Sequence, residues 1–130
     1  MLESIGGVET SSMAKGYEVG DIMLKTSNVK LTVARTICPG KYICLASGSV
    51  ADVAAAVEAG ASHAKEALVD QFAIPNIHPD IYPAIEGTAV VSETEALGVV
   101  ETFSVASLIE AADAAAKAAN VRLLEIKLAM

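Results

Sequence analysis

The chain holds two cysteines and two histidines, and the neighbours of these four residues decide most of what chemistry it could carry. Cys38 stands in Ile37-Cys38-Pro39-Gly40-Lys41. Proline presets one turn position and glycine permits a positive φ, so the segment reads as a tight turn with a thiol at its mouth. Cys44 lies in Tyr42-Ile43-Cys44-Leu45-Ala46. This apolar run reads as a strand, in which cysteine behaves as a small buried hydrophobe. If Pro39-Gly40 closes a two-residue hairpin, Lys41 faces Cys38 and Cys44 lies three residues further on, ~10 Å away. That is beyond disulfide reach, so two free thiols are expected. His63 falls in an alanine-rich stretch and His78 in a proline-rich one. Neither has a Cys, Ser or carboxylate at ligand or triad spacing, so no catalytic residue is assigned and the chain does not read as an enzyme. Cys-Pro-Gly-Lys is too short to be a phosphate loop. The remaining recurrent chemistry is an aspartate four residues before a lysine, Asp21 with Lys25 and Asp113 with Lys117. On a helix such pairs form solvated ion pairs.

The elements that would position these residues come in a repeat. Residues 3–37 align with 95–129 without a gap, at a constant offset of 92 (98 − 6 = 92). Gly6, Val8, Glu9 and Thr10 meet Gly98, Val100, Glu101 and Thr102. Glu18, Asp21, Lys25, Asn28, Val29 and Leu31 meet Glu110, Asp113, Lys117, Asn120, Val121 and Leu123. An ungapped match of this length and chemistry marks a duplicated domain. Each copy reads as strand, helix, strand. The helix is clearest in the second copy, where Val105, Leu108, Ile109, Ala112, Ala115 and Ala116 fall on one face. Asn28 and Asn120 are placed where a left-handed C-cap is wanted.

The first copy continues past its repeat. Lys41 to Ser47 reads as a third strand. Ser49 to Asp52 resembles a capping box, and Val50, Val53, Val57, Ala61, Ala64 and Leu68 mark the buried stripe of a second helix. Phe72 to Ile74 reads as a short fourth strand, and the prolines at 75, 79 and 83 end regular structure. The expected order is β-α-β-β-α-β and then β-α-β, an α+β fold with a mixed or antiparallel sheet. This divides the chain into a complete domain at 1–86, a linker at 87–94 and half of a second domain at 95–130. The half copy would present an apolar edge along 121–129. Such edges recruit other strands, so a separate chain or another copy of this chain is expected to cover it.

Composition narrows the function classes. With 130 residues, 53% of them hydrophobic, the chain can build a real core. A net charge of −7 argues against nucleic-acid binding, which needs a basic patch. No apolar run reaches the ~18 residues of a membrane span. Residues 1–12 lack the charged and apolar regions of a secretory signal, so a reducing cytosol is the expected setting.

The stretch ALGVVET…AADAAAKAANVRLLE at 96–125 resembles the signature of bacterial microcompartment shell proteins, and GYEVGDIMLKTSNVKL at 16–31 is a looser copy of it. IPNIHPDI at 74–81 is similar to the family's Ile-Pro-Arg-Pro-His tail, with Asn76 and Ile77 in place of Arg-Pro. Within the family the tandem-domain class looks most similar, and in particular the iron–sulfur shell proteins of propanediol-utilisation compartments, which carry Thr-Ile-Cys-Pro-Gly-Lys at the pore turn, as this chain does at 36–41.

The resemblance implies a homotrimer that imitates a hexagonal tile and assembles with other shell proteins. It implies that Ile37, Cys38, Pro39, Gly40 and Lys41 form a turn at the central pore, and that Lys25 and Lys117 make tile-edge contacts. It also implies a [4Fe–4S] cluster. Clusters take four thiolates as a rule, but a turn at a three-fold axis brings three copies of Cys38 together and leaves the fourth iron to a non-protein ligand. Such a cluster would serve electron transfer or cluster supply across the shell. Two other readings stay open: a tile whose pore passes small metabolites with Cys38 unligated, and a ferredoxin-like domain that binds a small effector. The last explains the element order but not the duplicated Glu-Thr and Asp-x-x-x-Lys positions.

Overall fold

The computed structural model describes residues 4–93 and 95–129. The outer domain ends expected at Met1 and Met130, and the linker end at Thr94, lie outside them. Four strands, β1 (Ser4–Thr10), β2 (Lys30–Ile37), β3 (Lys41–Gly48) and β4 (Leu68–Pro75), form one sheet in the order β2-β3-β1-β4. Every neighbouring pair is antiparallel. β1 is buried along its whole length because both its edges are paired and both its faces are covered.

Helices α1 (Met13–Thr26) and α2 (Val50–Ala64) cover one face. Val8, Tyr42, Cys44 and Ala46 from the sheet meet Val19 and Met23 of α1 and Val53, Ala56 and Val57 of α2 in one apolar cluster. Gly16 lets α1 lie directly on Tyr42, since a Cβ there would collide with that side chain. Both helices start as their sequences suggest. Ser12 Oγ accepts the Lys15 N–H, and Ser49 Oγ accepts the Asp52 N–H while donating to the Asp52 carboxylate. α2 stops at Ala64, short of the stripe expected to run to Leu68. Lys65 takes a positive φ of 52°, a single 3₁₀ turn follows, and the freed residues lengthen β4 to Leu68–Pro75.

The other face of the sheet carries a second cluster. Ile5, Ile43, Leu45, Phe72 and Ile74 pack there against a short helix α3 (Ile81–Glu86) and helix α4 (Val105–Ala118). α3 forms despite Pro83, which sits in its first turn, where the missing N–H has no intrahelical partner. Gly87 closes it in the left-handed conformation. The half copy therefore docks on its own chain, where another chain or another copy was expected. Ile126 and Leu128 join the cluster, and the Ile126 N–H donates to the Ala84 carbonyl at 3.0 Å.

Two expectations for the half copy fail. Its helix forms, but neither 95–102 nor 121–129 is a strand in the described residues. The first copy supplies the reason. β1 and β2 are never neighbours, because β3 lies between them. The residues that pair both have no counterpart in 95–129, and a strand without a ladder has no place for its backbone hydrogen bonds. The asparagines are also not left-handed caps. α1 and α4 end on extended Ser27 and Ala119. The Val29 N–H then returns to Ser27 O and the Val121 N–H to Ala119 O, both at 2.9 Å, a repeated three-residue turn. Asn28 instead directs its N–H at the Asp52 carboxylate.

Candidate functional site: the Cys38 turn and the grip on α4

Ile37 pairs with Lys41, so the turn is the three-residue loop Cys38-Pro39-Gly40, one longer than a two-residue hairpin. Ile37 is buried in the α4-side cluster and anchors the turn, while Cys38, Pro39 and Gly40 are exposed. Gly40 has φ 64°, and a side chain there would meet nothing within 4 Å. Cys38 is thus an exposed thiol in the tip of a hairpin. Cys44 is its opposite. It is fully buried on the helix face, its thiol directed at the Gly16 carbonyl, and burial pushes its pKa up to about 11. Neither cysteine is in a disulfide.

Lys41, immediately after the turn, reaches inward. Its Nζ lies 2.6 Å from Oε2 of Glu9, a carboxylate with no solvent exposure. The other oxygen, Oε1, accepts the backbone N–H groups of Val105 and Ala106, at 2.7 and 3.3 Å. These are the first two amides of α4, and a helix N-terminus favours a negative charge. One buried carboxylate therefore joins the Cys38 hairpin, strand β1 and the helix of the second copy. Glu9 stands out in the sequence only as part of a repeated Glu-Thr. Nothing local marks it as a cap for a helix 96 residues away.

Two further carboxylates hold α4. Asp70 Oδ2 accepts hydroxyl hydrogen bonds from Ser104 (2.5 Å) and Ser107 (3.1 Å). Burial pushes the Asp70 pKa up, but the Ser104 hydroxyl, the Gln71 N–H and the Ser107 hydroxyl together bring it below the usual value. Asp113 accepts the His78 N–H at 2.8 Å and pairs with Lys117 at 2.6 Å. The Asp21–Lys25 pair has the same length but is well exposed, so the solvated ion pair expected for both copies holds only for the first. His63, assigned no partner from its sequence neighbours, meets Glu18 at 2.9 Å across 45 residues and bridges α1 to α2. His78 accepts the Asp80 N–H on Nδ1 and shapes the proline-rich tail.

Among the described residues no three His, Cys, Asp or Glu side chains group as a metal site, and no helix is long and apolar enough to cross a membrane. What the site defines is an assembly module: a duplicated α+β domain whose second copy is gripped by the first, with one thiol at the tip of a hairpin. The chain belongs to the BMC domain family, whose model matches residues 4–77 and 96–130. It is 48% identical over 129 residues to the bacterial microcompartment shell protein PduT of Citrobacter freundii, covering 99% of this chain and 70% of that one. It is 34% identical over 82 residues to the shell protein EutM of Salmonella typhimurium, covering 62% of this chain and 85% of that one. A solved microcompartment protein from Desulfitobacterium hafniense superposes with a TM-score of 0.86 at 48% identity, over all of this chain and 72% of that one. The match over the whole chain includes α4, so its seat on the first sheet is part of the shared architecture. This chain is a structural shell protein, and its place is the microcompartment shell.

Proposed function

We propose that the chain is a trimeric, pseudohexagonal shell tile, in which three Cys38 thiols meet at the central turn and hold one [4Fe–4S] cluster. The observation that carries this reading is the position of Cys38: an exposed thiol at a hairpin tip, one per chain. The donor chemistry fits, since thiolates are the usual ligands of such clusters. The count fits only across chains. Cys44 is buried on the far side of the hairpin's own sheet and cannot contribute. Ile37 and the Lys41–Glu9 pair hold the base of the turn, so the thiol is carried on a fixed stem. When bound, a cluster supplies one-electron transfer at the pore. Lys25 and Lys117, near the ends of their helices and both partly exposed, serve as tile-edge contacts with neighbouring shell proteins.

Anaerobic reconstitution with iron and sulfide tests the assignment. The expected result is a brown protein with four irons per three chains, in the mass of a trimer. Cys38→Ser should lose colour and iron while keeping that mass. Iron bound equally by Cys38→Ser overturns the cluster assignment. A colourless but trimeric wild-type chain leaves the pore as a passage for small metabolites, with Cys38 an unligated thiol.

A further inference from the structure

Cys38 stands beside a positive charge that another residue balances. Ile37 and Lys41 pair across the hairpin, which sets their Cα atoms about 5 Å apart, and Cys38 follows Ile37 directly. A lysine at this place could turn its ammonium toward the thiol. It turns inward instead, to Glu9 Oε2 at 2.6 Å, and keeps only 17% of its side chain exposed. Glu9 is held in turn by the Val105 and Ala106 amides on its other oxygen and has no exposure at all. The carboxylate cannot follow the ammonium outward. It therefore fixes where the positive charge lies and balances it there.

Holding the hairpin does not by itself call for ions. Ile37, the residue opposite Lys41, anchors the same stem by apolar packing in the α4-side cluster. Replacing a buried ion pair by apolar residues is often neutral or stabilising. What the pair supplies and an apolar residue does not is a defined charge close to the thiol. Thiols respond to such a charge, because a nearby cation favours the thiolate. A thiolate-held iron–sulfur cluster responds as well: reduction adds one negative charge, and the surrounding net charge is among the factors that set the potential.

We infer that Lys41 and Glu9 act on Cys38 in opposite senses. Lys41 raises the reactivity of the thiol and the potential of a cluster held by it. Glu9 lowers both, by drawing the ammonium inward and neutralising it. Both are positioning residues that act through the thiol, and neither is a ligand. For the thiol the inference stands on this chain alone. For the potential it rests on the cluster and trimer proposed above, in which any change of charge at 9 or 41 is made three times around one centre.

Variants that change charge but little shape test it: Glu9→Gln, Lys41→Gln, the two together, and Lys41→Arg as the conservative control. The first readout is the rate at which iodoacetamide alkylates Cys38 in cluster-free protein, at one near-neutral pH and in low salt, where the Debye length is about 30 Å. Glu9→Gln is expected to react several-fold faster than the wild type and Lys41→Gln several-fold slower. The double variant and Lys41→Arg should stay close to the wild type. The second readout is the reduction potential of reconstituted protein, followed by electron paramagnetic resonance during titration with dithionite. It should move up in Glu9→Gln and down in Lys41→Gln. A merely structural role would loosen the turn in both single variants and move each readout the same way in both. Shifts of one sign, or none, overturn the inference. Should Glu9→Gln fail to fold, Lys41→Gln decides alone, and an unchanged or faster rate overturns the inference. A wild-type chain that takes up no iron overturns the cluster, while the alkylation rates still decide what the pair does to the thiol.

Discussion

The Lys41 ammonium and the Glu9 carboxylate stand 2.6 Å apart, although they belong to different strands and 32 residues separate them. Lys41 keeps only 17% of its side chain exposed and Glu9 none. Buried ion pairs hold when further hydrogen bonds satisfy the remaining lone pairs, and here the α4 amides do so. The pair fixes the residue that follows the Cys38 turn and, through the same carboxylate, the start of α4. Position of the turn and docking of the second copy are therefore one structural event.

Glu9→Ala is expected to destabilise the chain by about 3 kcal/mol, because it leaves a largely buried ammonium and two helix amides without a partner. Lys41→Met should cost less, since the carboxylate keeps its amide partners. The two effects should fall short of additivity in the double variant, as for groups in direct contact. Urea denaturation of the four proteins measures this. Full additivity would show that the pair does not couple the turn to α4.

The two thiols should separate by reactivity. Cys38 is exposed, whereas Cys44 is buried with a pKa pushed up to about 11 and holds little of the reactive thiolate near neutral pH. Titration of cluster-free protein with a thiol reagent is expected to modify one cysteine quickly and the second only on unfolding. Cys38→Ser should abolish the fast phase. Fast modification of both would show that the packing of α1 on β3 opens readily.

Much of this architecture could be read in the sequence, and the exceptions have a common cause. The offset of 92 showed the duplicated helices, and Pro39-Gly40 the turn, because both depend on local spacing. Asn28 misled, since Ser27 already ends the helix in an extended conformation and Asp52, 24 residues away, takes the Asn28 N–H. Glu9 went unseen because its partners are 32 and 96 residues distant. The strand patterns at 95–102 and 121–129 were real, but a strand exists only with a neighbour. Identical sequence patterns in the two copies therefore give different structures, β1 and β2 in one and unpaired chain in the other.

Asp70 should make the docking of α4 sensitive to acid. Its folded pKa lies below the unfolded value of about 3.9. A depressed carboxylate pKa contributes stability that is present above the unfolded value and lost as pH falls through the folded one. Asp70→Asn is expected to be less stable than wild type at pH 7, and the difference should vanish at the acid end. Thermal unfolding across that range checks it. A difference that persists undiminished would mean that the Ser104 and Ser107 hydroxyls do not depend on the Asp70 charge.

The duplicated ion pairs provide their own control for the last prediction. Asp21–Lys25 and Asp113–Lys117 have the same spacing and the same 2.6 Å separation. They differ in surroundings. The Asp21 side chain is exposed and, among the described residues, pairs with Lys25 alone, while Asp113 is buried and also accepts the His78 N–H, tying the tail after β4 to α4. Removing an exposed pair changes stability by under ~1 kcal/mol. Removing the acceptor of a part-buried N–H leaves that group poorly satisfied and costs roughly 1 kcal/mol or more. Asp21→Ala is therefore expected to unfold like the wild type, and Asp113→Ala to unfold at clearly lower denaturant. Hydrogen exchange adds a local readout. The His78 amide should be protected in wild type and in Asp21→Ala, and should exchange faster in Asp113→Ala. Equal losses in the two variants would show that the i,i+4 pair itself, and not the bond to the tail, is what Asp113 contributes.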